Sequence, residues 1–175
     1  MNRHVNAVAG RLSLRAPQRR SLEILDRVTE IVPPRKGTDI GEALAAIRGE
    51  FGSITDFERD FPSLCFALAT GVGKTRLMGA FISYLHLAHG VGNFFVLAPS
   101  LTICNKLIAD FTPNTPKYVF KGISEFATDA PAIITGDNYE SMASTLFDEH
   151  LRCKVNIFNI SKINSEVRGG KSPRI

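Results

Sequence analysis

The chain has 175 residues, 44% of them hydrophobic and 22% charged, with a formal net charge of +4. That composition is ordinary for a soluble globular protein with one sizeable core, and no apolar run is long enough to span a bilayer. The arginine-rich start, "MNRHVNAVAGRLSLRAPQRR", lacks the apolar stretch of a signal peptide, and a transit peptide is set aside because the segment flows into a patterned helix.

Pro17 can open that helix, with Leu22, Leu25, Val28 and Ile31 at helical spacing until Pro33-Pro34 stops it. After the linker "PPRKGTD", Thr38 or Asp39 can cap a second helix that carries Ile40, Leu44, Ile47 and Phe51 on one face. "TDFERDFP" reads as one helical turn. The pattern then changes to alternating strand and helix. "SLCFALA" reads as a strand buried on both faces, followed by the loop "TGVGKT" and a helix from Thr75 to about His89, closed by a left-handed Gly90. "NFFVLAP" reads as a second buried strand, and "SLTICNKLIADF" as a helix with Ser100 at its N-cap. "KYVFKG" and "AIITG" read as short strands, "DNYESMASTLFDEH" as helix and "KVNIFNIS" as a further strand. "KINSEVRGGKSPRI" is Gly-rich and basic. Such alternation predicts βαβ units and a mostly parallel α/β sheet, with residues 1–60 a helical segment and 61–175 the α/β domain.

Charge follows these divisions. Residues 1–36 carry eight Lys/Arg against three acids and 37–60 two against six. Residues 61–150 carry five against seven, and 151–175 six against one. Two basic ends fit an electrostatic footprint for nucleic acid, or simply a solvated surface. Cys65, Cys104 and Cys153 show no C-x-x-C spacing and are expected as small buried apolar residues of a reducing, cytoplasmic compartment. His86 and His89 are expected to favour a helix C-terminus rather than a metal.

The chemistry concentrates in "CFALATGVGKTRLMGAF", residues 65–81. Gly71 and Gly73 supply the permissive backbone with which N–H groups converge on phosphates. Lys74 stands where a lysine reaches the β- and γ-phosphates, and Thr75 where a hydroxyl meets Mg²⁺ at a helix N-terminus. The pattern G-x-x-x-x-G-K-[ST] expects glycine where the chain has Leu68. That position is expected at a strand end, its side chain turned to the core and away from the phosphates.

"ATGVGKT" resembles motif I of superfamily-two helicases, and "FFVLAPSLTICNKLIADF" is similar to their motif Ia. "LSLRAPQRRSLEIL" resembles the upstream segment whose glutamine reads adenine, and "VNIFNISKIN" the strand and turn before the Walker B element. Together these most resemble the ATPase (Res) subunit of type III restriction enzymes. The resemblance implies a RecA-like P-loop fold, ATP and Mg²⁺ as cofactors, DNA as partner, a possible modification (methyltransferase) subunit, and no membrane association. It implies nucleotide-binding roles for Gln18, Ala69, Thr70, Gly71, Val72, Gly73, Lys74, Thr75 and Arg76. Lys74 and Thr75 carry the catalytic part, and Thr75 meets the metal. Pro99, Ser100, Leu101, Asn159, Ser161 and Lys162 would face DNA; Ser100 as a plain N-cap and Lys162 as a solvated residue are the competing readings.

A motor of this class also needs an acidic Walker B pair. "FDEH", residues 147–150, is rejected because it ends a helix-like segment rather than a buried strand. The acidic motif is expected beyond residue 175, so the chain reads as most of a first RecA-like domain and as poorly active alone. The alternatives are a non-catalytic nucleotide-binding remnant and a small-molecule kinase. The kinase lacks an evident lid and arginine set.

Overall fold

The structure is a computed structural model, and it describes residues 2–142 and 153–160. It forms two compact units, Met1–His89 and Gly90–Ile175. The first is helical. Helix α1 (Arg3–Arg11) starts at Asn2, whose side chain accepts the His4 N–H, and buries Val5, Val8 and Ala9, the i, i+3, i+4 stripe of an amphipathic helix. Helix α2 (Ala16–Ile31) carries Pro17 in its first turn, where the missing N–H costs nothing, and buries Leu22, Leu25 and Val28. Helix α3 (Ile40–Glu50) is capped by Asp39, whose carboxylate accepts the Glu42 N–H at 2.8 Å. Its Ala43 and Ile47 pack with Val28 and Phe57 into a small core ringed by Ile40, Leu44 and Phe51. Helix α4 (Lys74–His89) ends at Gly90, which has φ +67°.

Two expected elements of this unit do not form. Residues 56–61 form no helical turn: 56 and 57 are irregular and 58–61 are bends, with Glu58 at φ +56°. Residues 63–69 form no strand: Leu64, Phe66 and Leu68 are half-buried, while Cys65, Ala67 and Ala69 are exposed. Phe66 meets Phe81 of α4 edge-on at 5.0 Å, and Leu64 packs on the Val28 core. Along the segment half-buried and exposed side chains alternate. An apolar run therefore signalled side-chain burial without backbone pairing. Cys65 is exposed for the same reason, unlike the buried Cys104 and Cys153.

A polar cluster joins three helices of this unit. Asn2 Nδ2 donates to Asp26 Oδ1 at 2.9 Å and Tyr84 O–H donates to the same oxygen at 2.7 Å. Thr29 Oγ1 donates to the Asp26 carbonyl and lies 3.0 Å from the Tyr84 hydroxyl. His89 Nε2 lies 3.1 Å from Tyr84 and 3.0 Å from Thr29. With both hydroxyl protons directed to Asp26, Nε2 is left as the donor. Burial raises the Tyr84 phenol to about 12. Burial also lowers His89 from its ordinary 6.5, against the attraction of Asp26 and with a further push from His4. The unfolded chain then binds the proton more readily. The stability that His89 contributes is whole above about 6.5 and is lost as pH falls through that value. In thermal melts, the gap between the parent chain and His89→Gln should narrow from pH 8 toward pH 5. A gap independent of pH would contradict this account.

The second unit holds a three-stranded parallel sheet in the order β1 (Asn93–Ala98), β3 (Lys154–Asn159), β2 (Ala132–Thr135). Central β3 is buried along its whole length, as a strand covered on both faces should be. Strand β1 is not buried on both faces as expected: Val96 and Ala98 are buried, whereas Phe95 and Leu97 are 50% and 52% exposed. Buried Asn156 donates to the Asn93 side chain at 2.7 Å and the Phe94 carbonyl at 2.9 Å, which ties β3 to β1 in one register. Helix α5 (Leu101–Phe111) packs on the sheet, and the short α6 (Ser124–Thr128) buries Phe126. The expected strand at 117–122 is instead a chain of turns. Phe120 takes edge-on contacts from Phe111, Tyr118 and Phe126, and the Val119 N–H donates to the Asp110 carbonyl. Of the expected helix at 137–150, residues 137–142 are turns and the rest, with "FDEH", lies outside the described residues.

Candidate nucleotide-binding site

The loop between residues 69 and 74 has the backbone an anion needs. Gly71 has φ +83° and Gly73 φ +93°, both in the left-handed region that side chains resist. The α4 N-terminus follows at once, and its first N–H groups have no partner within the helix. Those donors and the positive end of the helix dipole favour a phosphate. Gly73 is also the capping residue, since its carbonyl accepts the Leu77 N–H at 3.2 Å. Lys74 is exposed, and its Nζ folds back to donate to the Ala69 carbonyl at 3.1 Å. A phosphate would replace that carbonyl as the acceptor. Thr75 is half-buried in the first turn, Thr70 is exposed and Val72 half-buried. Leu68 is half-buried in the preceding segment, which forms no strand there, and Gly71 and Gly73 keep their left-handed backbone despite the departure from pattern.

Gln18 reaches this loop from α2. Its Oε1 accepts the Arg15 N–H at 2.8 Å and its Nε2 donates to the Gly73 carbonyl at 2.9 Å. The side chain is 2% exposed. One amide hydrogen and one carbonyl lone pair are left over, the complement of the N6–H/N7 edge of adenine. The Arg76 guanidinium donates to the Leu12 carbonyl at 3.2 Å.

In the second unit, Pro99 and Ser100 follow β1 and Asn159 ends β3. Ala98 pairs in register with Asn159, so these residues share the carboxyl edge of the sheet, where open α/β sheets take ligands. Ser100 Oγ accepts the Ile103 N–H at 3.4 Å as the N-cap of α5. Leu101 is 59% exposed and Asn159 is buried. Ser161 and Lys162 lie outside the described residues.

A family model described as "Type III restriction enzyme, res subunit" matches residues 12–173. The chain belongs to that family. No curated protein and no solved structure gives a significant match. At the level of the Res family the activity is that of an ATP-dependent, helicase-type hydrolase, and the small all-parallel sheet with flanking helices is consistent with that family's RecA-like P-loop fold. Among the described residues no helix is long and apolar enough to cross a membrane, and no cluster of His, Cys, Asp and Glu is suited to a metal.

Two contacts of the Res-family loop escaped the sequence reading, Gln18 on the Gly73 carbonyl and Arg76 on the Leu12 carbonyl. The first had a signal: Gln18 stands three residues after Arg15 at a helix start, the spacing of a capping box, which places its side chain at the helix entrance. The second had none, because its acceptor is a backbone group.

Proposed function

We propose that this Res-family chain binds ATP with Mg²⁺ at Gly71–Thr75 and serves DNA-directed translocation in restriction. The observation that carries the nucleotide reading is the pair of left-handed glycines flanking Val72 at a helix N-terminus, with Lys74 next in sequence. In this reading the N–H groups of Thr70 to Gly73 wrap the phosphates, Lys74 neutralises the β- and γ-phosphates and Thr75 offers its hydroxyl to Mg²⁺. The metal would supply charge neutralisation across the phosphates. Gln18 reads the adenine edge once the residues that cover it move aside. Pro99, Ser100, Leu101 and Asn159 form the DNA-facing edge, Ser161 and Lys162 contribute to DNA binding, and a modification subunit is the partner in the restriction system.

Titration of the full chain with a fluorescent ATP analogue, with and without Mg²⁺, tests the nucleotide reading. Saturable binding competed by ATP is the expected result, and no binding at any accessible concentration sinks it. The DNA reading predicts binding to a duplex oligonucleotide that weakens linearly on a log–log plot of affinity against salt. Salt-independent binding, or none, removes DNA. Release of phosphate that rises with added DNA assigns turnover to this chain; binding without turnover leaves a nucleotide-binding module.

A further inference from the structure

Helix α1 lies before the family match, which begins at Leu12, yet its C-cap residue Leu12 is bonded to Arg76 in the first turn of α4, directly after the phosphate loop. Its C-terminus shows how. Ser13 has φ +48°, its N–H donates to the Gly10 carbonyl at 3.1 Å, and the Leu14 N–H donates to the Ala9 carbonyl at 3.0 Å. That pair of bonds is a Schellman closure, which satisfies the Ala9 and Gly10 carbonyls. The Leu12 N–H takes the Val8 carbonyl at 3.0 Å. The carbonyl of Leu12 itself lies beyond this closure, at the negative end of the helix, and the Arg76 guanidinium occupies it. At the other end of α1, Asn2 is bonded to Asp26, and in between Asn6 accepts from Arg19 at 2.8 Å. Val5 and Val8 are fully buried, so the helix is a firm anchor.

We infer that α1 is an accessory clamp on the phosphate loop and that Arg76 is its positioning residue. The end of the loop is held by Gln18 on the Gly73 carbonyl, and the helical turn that follows it by Arg76 on the Leu12 carbonyl. Arg76 fixes the first turn of α4, and with it the direction of the N–H groups at Lys74 and Thr75, without touching nucleotide. This rests on the nucleotide reading for its purpose, but the tie itself is measurable without nucleotide.

Amide hydrogen exchange of the full chain, free of nucleotide, tests it in Arg76→Ala and Arg76→Lys. In Arg76→Ala, exchange across residues 70–76 should rise about 5- to 10-fold, the worth of one charge-assisted hydrogen bond at a partly exposed site. Peptides covering α3 and α5 should be unchanged. Affinity for a fluorescent ATP analogue should weaken by a similar factor, and Arg76→Lys should recover most of both. Unchanged loop exchange with weakened affinity would make Arg76 a direct ligand and overturn the clamp. Faster exchange across the whole first unit would reduce Arg76 to general stability and overturn it too. A parent chain that fails to bind the analogue removes the nucleotide reading alone, and the exchange data still decide whether the tie exists.

Discussion

Lys74→Ala lowers ATP affinity by about 10- to 100-fold, the range of a lost charge-assisted hydrogen bond to a phosphate. The side chain is exposed and, among the described residues, hydrogen-bonds to the Ala69 carbonyl in the same loop, so little of the fold depends on it. The stability without nucleotide should therefore change by no more than a surface substitution does, about 0.5 kcal/mol. Calorimetric titration against the parent chain measures the first quantity and a melt the second. Lys74→Arg should recover only part of the affinity, because a planar fork does not reproduce a compact ammonium in a tight loop. Retention of full affinity in Lys74→Ala would show that nucleotide, if bound, is held elsewhere.

Gly73→Ala strikes both the backbone and Gln18. At φ +93° a side chain is strained by about 1–3 kcal/mol, and a Cβ there would lie 2.7 Å from Gln18 Nε2. Gln18 is an otherwise flexible side chain, but it is buried and held by two hydrogen bonds, so moving it sacrifices both. The expected result is a clear fall in thermal midpoint together with loss of nucleotide binding. Gly71→Ala is the internal comparison. Its φ of +83° carries a similar strain, but nothing lies within 4 Å of the added carbon. It should cost less stability than Gly73→Ala. Adding Gln18→Ala to Gly73→Ala should restore part of the lost stability and none of the binding. Equal losses in the two glycine variants would mean that Gln18 yields freely.

How far this architecture was legible depends on which kind of signal each element leaves. Helices α2, α3, α4 and α5 were readable because each buries one periodic stripe and begins or ends on a marked residue: Pro17, Asp39, Gly90 or Ser100. Helix α1 was not proposed as an element, since its short stripe of Val5, Val8 and Ala9 sits among arginines that draw the eye. Strands β1, β2 and β3 were placed correctly, yet only β3 has the two-sided burial that a continuous apolar run suggests. The runs at 63–69 and 117–122 look the same in sequence and form no strand. Leu64 and Phe66 spend their apolar surface on helices, and Phe120 spends its own on an aromatic cluster. Composition records how greasy a segment is; partners for its N–H and C=O groups are settled by the rest of the chain. The loop glycines and Lys74 were legible because their spacing is itself the geometry. The two bonds that fix the loop end on backbone carbonyls, which no residue letter encodes.

The strand that joins the sheet is the last of the three to be synthesised. Among the described residues, strands β1 and β2 do not pair with each other, and each pairs with β3. On the ribosome, Phe95, Leu97, Ile133 and Ile134 therefore emerge well before the segment that will hold their strands. Until then their backbones are unpaired edges, open to other chains. Asn156, bonding to Asn93 and Phe94 on arrival, distinguishes the correct alignment from a slip by one residue, which would turn its amide to the opposite face. Expression yield should thus respond more to changes at Asn156 than its single side chain suggests, because it acts at the moment when the sheet is most exposed to misassembly.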